Sequence, residues 1–186
     1  PPPAAPPAAR PIPTGSAAIG AALHASQGSD ASTWLEPEID GCVFLGPVCT
    51  GVRVRGRFDL AISGDAVRLD TARQGADVLI LGELPVTLGR FVLCPGAGVG
   101  AGWLRSSFTG EEARGGAVDV DSGGIRIEAR FGLRIPMGRA VALDLSLRGD
   151  LSPLAKVELR DEGGLRLAGE PRWSLGGGLG FRYGGP

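Results

Sequence analysis

The feature that most limits what this chain can fold into is a two-residue alternation, clearest in its last segment. Between Arg172 and Tyr183 the odd positions hold Trp173, Leu175, Gly177, Leu179, Phe181 and Tyr183. The even positions hold Arg172, Ser174, Gly176, Gly178, Gly180 and Arg182. Successive side chains of a β-strand point to opposite faces. The segment therefore presents an apolar face with aromatics near both ends, and a second face of only glycine, serine and arginine.

The same period recurs along the chain and predicts eight strands. The first sets Ile19, Ala21, Leu23 and Ala25 against Gly20, Ala22, His24 and Ser26. The second sets Leu35, Pro37 and Ile39 against Trp34, Glu36, Glu38 and Asp40. The third has the strictest pattern, Val52, Val54, Phe58, Leu60 and Ile62 against Arg53, Arg55, Arg57 and Asp59. The fourth carries Ala76, Val78, Ile80, Leu84 and Val86 opposite Asp77, Leu79, Leu81 and Glu83, so its middle is apolar on both faces. The fifth runs from Phe91 toward Arg105, with Cys94, Gly96, Gly98, Gly100 and Gly102 on one side. The sixth sets Ile125, Ile127, Phe131, Leu133 and Ile135 against Arg126, Glu128, Arg130 and Arg134. The seventh sets Val141, Leu143, Leu145 and Leu147 against Asp144, Ser146, Arg148 and Asp150.

The connections read as alternately long and short. Polar loops are expected near Gly28–Ser32, Ser63–Thr71, Thr109–Ser122 and Leu151–Pro171, and tight turns near Leu45–Pro47, Leu88–Arg90 and Pro136–Gly138. That is the form of an up-and-down transmembrane barrel, and strands near ten residues match a tilted crossing of the hydrocarbon layer. Residues 1–15 are proline- and alanine-rich and read as an extended linker, leaving 16–186 as the barrel domain. The chain begins at Pro1, so a signal peptide or an upstream domain is expected to precede it.

Composition narrows the classes. The net charge of −1 gives no basic surface for nucleic acid. No apolar run is long enough for a membrane helix, whereas a mean hydropathy of +0.12 suits strands that average an apolar and a polar face. Lys156 is the single lysine. A GC-rich genome accounts for that, as does a use for bidentate guanidinium–carboxylate pairing.

Alternation alone does not say which face is outside. The glycine rows 96–102 and 176–180 lie on the charged face. Glycine weakens a strand and has no purpose in water, but the lumen of an eight-strand barrel is only just wide enough for side chains. Turned inward, Arg53, Arg55, Arg57, Arg126, Arg130, Arg134, Arg148 and Arg182 would meet Glu36, Glu38, Asp40, Asp59, Asp77, Glu83, Glu128, Asp144 and Asp150. Charges survive burial only when paired. An interior ion-pair network with an apolar belt toward lipid is the expectation. The alternative is a soluble or periplasmic lipocalin-like barrel, with leucines inside and arginines in solvent, binding an apolar ligand.

The alternating strands, the turns at Leu88–Gly89–Arg90 and Pro136–Met137–Gly138, and the strand from Trp173 to Tyr183 resemble the small eight-stranded outer-membrane barrels, such as the OmpA membrane domain and OmpX-type proteins. The resemblance covers Ser16 to Tyr183. It implies an all-β, antiparallel, up-and-down transmembrane barrel in a Gram-negative outer membrane, with a structural, anchoring or surface-interaction role, contact with outer-membrane lipid, and a monomeric state. The sequence departs from that pattern where Gly184, Gly185 and Pro186 follow the last aromatic, and where Pro37, Pro85 and Pro95 stand in strands as marks of bulges or strand ends.

Candidate chemistry is sparse. Cys42 and Cys49 flank the connection between the second and third strands and would pair in an oxidising envelope; otherwise they are two free thiols. Cys94 is expected to be an inert, inward-facing thiol. His24, the single histidine, shares a face with Ser26 and lies one strand from Glu36, which raises a Ser26/His24/Glu36 lipid hydrolase as a further alternative to a plain lumen histidine. The run Gly96–Gly102 lacks the lysine and helix of a phosphate loop and reads as strand. Glu111, Glu112, Asp119 and Asp121 read as a solvated acidic loop rather than a calcium site, and Arg148–Gly149–Asp150 as a chance tripeptide. No cofactor or metal motif is present, and no catalytic residues are assigned.

Overall fold

The computed structural model describes residues 15–60, 70–109, 118–155, 158–160 and 166–184. The Pro/Ala-rich stretch read as a linker lies outside them, Gly15 excepted. The described strands are β1 (Ala17–Gly28), β2 (Thr33–Leu45), β3 (Val48–Asp59), β4 (Asp70–Glu83), β5 (Val86–Leu88), β6 (Phe91–Thr109), β7 (Val118–Pro136), β8 (Val141–Leu151), β9 (Glu158–Arg160), β10 (Arg166–Ala168) and β11 (Trp173–Gly184).

Each long strand pairs antiparallel with its neighbour in sequence, and β4 pairs with β6 while β1 pairs with β11, so the sheet closes on itself. The result is an up-and-down barrel of eight staves; β5 prolongs β4 after a break at Leu84 and Pro85 and pairs with β6. Closure leaves no unpaired edge, the condition for a sheet to cross lipid. The two-residue turns 46–47 and 89–90 place Gly46 at φ 67° and Gly89 at φ 61°, left-handed values that favour glycine. These turns, 137–140 and both described chain ends lie at one end of the barrel, the turn end. The other end, the loop end, carries 29–32, the C-terminal ends of β3, β6 and β8 and the starts of β4, β7 and β11.

Several boundaries differ from the sequence reading. The fourth strand begins at Asp70, so Asp70 and Thr71, taken as loop, and the polar stretch before Ala76 are paired with β6. Both ends of the supposed Thr109–Ser122 loop are also strand, because β6 runs to Thr109 and β7 starts at Val118; 110–117 lie outside the described residues. Polar side chains are no obstacle to pairing where a strand has passed beyond the apolar belt. The first connection spans only 29–32, as short as the turn at 137–140, so the alternation of long and short is imperfect. A two-stranded ribbon, β9–β10, lies within the last connection. Pro37 interrupts the β2–β3 ladder without a bulge, since Leu35↔Phe58 and Glu38↔Arg55 keep one register. Pro85 occupies the β4–β5 break, and Pro95 remains in register with Phe131.

The alternation resolves into an outside and an inside. Leu23, Ile39, Val54, Ile80, Val99, Ile127, Leu145 and Leu179, one from each stave, are exposed on the outer face. Phe58, Trp103 and Trp173 stand near its loop end, Phe181 and Tyr183 near its turn end. An apolar band flanked by aromatics suits a hydrocarbon layer with two interfaces.

Candidate functional site

The inward-facing positions fill the lumen in three layers. At the turn end, Ala18, Cys42, Phe44, Cys49 and Leu81 form a buried apolar cluster. Cys42 and Cys49 are joined by a disulfide across the β2–β3 hairpin. Arg182 bounds the cluster from above, donating from Nη2 to Cys42 Sγ (2.7 Å) and from Nη1 to Asp40 Oδ2 (2.8 Å). Cys94 is a free, buried thiol facing inward.

The middle layer is ionic. Arg134 bridges Glu83 and Asp144, and Arg130 bridges Asp144 (3.1 Å) and Glu38 (3.1 Å). Arg53 contacts Glu128. Arg55 donates to Asp77 through Nε (2.9 Å) and Nη2 (2.6 Å), and through Nη1 to Asp150 (2.9 Å) on the opposite wall. Arg148, on β8, reaches back to Glu36 and to Glu38 (2.8 Å) on β2. Charges are stable there because each of these guanidiniums meets carboxylates.

The loop end is closed by a knot around Trp34, which is fully buried. The guanidiniums of Arg57 and Arg73 each lie 4.8 Å from its ring centre, an attractive cation–π arrangement. Trp34 Nε1 donates to Ser32 Oγ (2.7 Å), which in turn donates to Asp30. Arg73 pairs with Asp30 (2.6 Å) and Asp59 (2.6 Å) and donates to the Gly169 carbonyl (2.8 Å). From the last connection Glu170 enters the mouth, meeting Arg126 (2.5 Å), Arg57 (3.4 Å) and Ser152 (3.3 Å). Burial acts to raise the Asp30 carboxyl, but hydrogen bonds from Ser32 and Arg73 outweigh it and hold the group below its usual range.

Every residue proposed for the interior network faces the lumen. All are buried except Asp59, which sits half-buried at the mouth against Arg73. Sequence reasoning missed Arg73, Asp30 and Glu170. Arg73 keeps the inward parity of Asp77 and was hidden by the misplaced start of the strand. Glu170 lies in a connection with no period, so no pattern marks it.

The Ser26/His24/Glu36 relay is not assembled. His24 Nε2 lies 3.2 Å from Glu38 Oε1 and 3.4 Å from Ser146 Oγ. Ser26 Oγ has no hydrogen-bond partner among the described residues, and Glu36 is taken by Arg57 (3.2 Å) and Arg148. Residues two apart on one strand point in parallel, which keeps Ser26 off the imidazole. The tripeptide Arg148–Gly149–Asp150 has both charged side chains inside the lumen, where no receptor reaches them. Glu111 and Glu112 lie outside the described residues; Asp121 pairs with Arg105 (2.9 Å) on the β6–β7 extension.

Two glycines make room for this interior. A Cβ on Gly178 would strike the His24 ring, and one on Gly102 would strike Asp77 Oδ1 and the Arg126 guanidinium. At both positions the missing side chain is the space that the polar group occupies.

Among solved structures the chain is similar to Neisserial surface protein A, with 13% identity over 90% of this chain and 95% of that one and a TM-score of 0.58. It is similar to a major outer membrane protein from Thermus thermophilus, with 15% identity over 91% and 99% and a TM-score of 0.58. The N-terminal β-barrel domain of Pseudomonas aeruginosa OprF matches with 11% identity over 92% and 98% and a TM-score of 0.53. No family model and no curated protein matches the chain in sequence. The likeness is one of fold: the chain is a small eight-stranded transmembrane β-barrel with a filled, polar interior.

Proposed function

We propose that this protein resides in the outer membrane of a Gram-negative bacterium as a monomeric barrel with a structural, anchoring or surface-interaction role, in contact with outer-membrane lipid and closed to solute flow. The observation that carries this reading is the closure at three levels: apolar cluster, ion pairs and the Trp34–Glu170 knot. A pore would need a continuous water path past all three. A carrier of apolar ligands would need an apolar interior; here the interior is ionic and the leucines face out. A lipid hydrolase draws no support from the His24 neighbourhood, whose ordered partners are the buried Glu38 and Ser146.

The test is reconstitution of the full chain in detergent and lipid. Unheated protein is expected to migrate differently from boiled protein in a gel, because a closed barrel resists detergent unfolding, and planar bilayers are expected to show no steady single-channel current. A freely water-soluble monomer overturns the membrane reading; steady conductance overturns the closed lumen.

A further inference from the structure

The outer face of the barrel is not uniform. On β7, β8 and β11 it sinks into a groove of about 400 Å³ lined by Phe131, Leu133, Leu145, Leu147 and Gly177, with Ser146 and Gly178 at its floor. Register explains the depression. Gly177 stands between Leu147 on β8 and Ala25 on β1, so the surface steps down from large side chains to a hydrogen and a methyl. Leu175 and Leu179, the outward residues before and after Gly177 on β11, are 62% and 51% exposed, and Leu147 is 67% exposed. Ser146 turns its hydroxyl inward to His24, so only its main chain meets the groove.

We propose that this groove seats one acyl chain of a membrane lipid at a fixed position on the barrel. The proposal rests on the membrane reading given above and names one component of the lipid contact it implies. The groove is continuous with the apolar belt, and no charged or hydrogen-bonding side chain lines it. A peptide segment laid there would leave its own N–H and C=O groups without partners. Leu147 and Phe131, both exposed, stand proud at its rim, so the broad wall of a second barrel is held off the floor while a single hydrocarbon chain fits beneath them. A chain in the groove gains dispersion contacts on several sides, which an exposed convex strand cannot offer.

The full chain would be placed in phosphatidylcholine vesicles whose acyl chains carry a diazirine, irradiated, and its adducts mapped by mass spectrometry. Adducts are expected to be enriched several-fold on the β8 and β11 peptides over residues on the far wall such as Ile39 and Val54. Gly177→Leu fills the groove, and a Cβ there meets its nearest atoms at 3.5 Å, an ordinary contact, so the variant is expected to fold and lose the enrichment. Uniform labelling around the belt, or enrichment unchanged in Gly177→Leu, overturns the site while leaving the membrane reading intact. Cross-linked dimers through these strands that increase with protein density overturn it in favour of a second copy. No adducts anywhere, with the chain fully open to added protease, means that the membrane reading has failed and this site with it.

Discussion

Arg55 shows what a single residue does in this interior. Its guanidinium ties Asp77 on β4 to Asp150 on β8, with Glu128 3.4 Å away, so one side chain holds opposite walls together. Arg55→Met would leave Asp77 to Arg126, Asp150 to Arg148 and Glu128 to Arg53, without the buried cation that joins the three. Removing one member of a buried pair costs roughly 3–5 kcal/mol, and urea unfolding in lipid vesicles is expected to show a loss of that size. A surface charge is the control: Arg105→Met, which breaks an exposed pair with Asp121, should leave the urea midpoint nearly unchanged, since solvent screens that pair. Gly178 makes the complementary point about space. Gly178→Ala forces a methyl onto the His24 ring, and overpacking of this kind costs about 1–3 kcal/mol. In the double variant with His24→Ala the clash has no partner, so the two effects should be strongly non-additive.

Among elements, the β2–β3 hairpin and the last connection each close one end of the lumen. The hairpin carries Cys42, Phe44 and Cys49 inward and locks them with a disulfide over a separation of 7. A loop of that length implies a contribution of roughly 2–3 kcal/mol through restriction of the unfolded chain. The Cys42→Ser, Cys49→Ser variant is expected to fold and to unfold at correspondingly lower urea. The last connection works differently, lowering Glu170 into the opposite mouth. Glu170→Ala removes the carboxylate that meets Arg57 and Arg126 and should loosen the knot without opening the ladder. With Trp103 and Trp173 changed to Phe, the fluorescence of Trp34 would become accessible to an aqueous quencher in Glu170→Ala and remain shielded with Glu170 present. The strands themselves tolerate irregularity: Pro37 removes a donor from the β2–β3 ladder, yet β2 keeps its full set of pairs to β1 from Ala17↔Val43 to Gln27↔Thr33.

At the scale of the whole molecule, the design inverts that of a soluble protein. The charged residues are the core and the aliphatic residues the surface, because the solvent around the staves is hydrocarbon. The inversion needs closure, since an open sheet would put unpaired backbone into lipid, and it needs charge balance, since an eight-strand lumen admits little water to screen an excess. The two ends have different chemistry. Disulfide and apolar packing close the turn end; cation–π and ionic contacts close the loop end, where β6 and β7, at 19 residues each, run past the belt.

How much of this was legible depended on whether a residue's place is set by local backbone geometry. The period of two fixed the strands, their faces and the inward set from Glu36 to Arg182, since alternation follows from the pleat alone. The glycines beside the arginines gave the orientation, because only a crowded interior has a use for absent side chains. Which arginine meets which carboxylate was not legible: Arg55 with Asp150 and Arg148 with Glu36 join residues far apart in the chain, and only the stagger of the closed barrel sets them at one level. His24 met Glu38 and Ser146 rather than Ser26 for the same reason. Glu170 entered the mouth from a connection with no period, and the groove at Gly177 forms only because the ladders set Leu147 and Phe131 beside it. The sequence by itself determined the strands and their two faces, which are properties of neighbouring residues; the tertiary structure decided every partner across the lumen and along the wall, because those are properties of register.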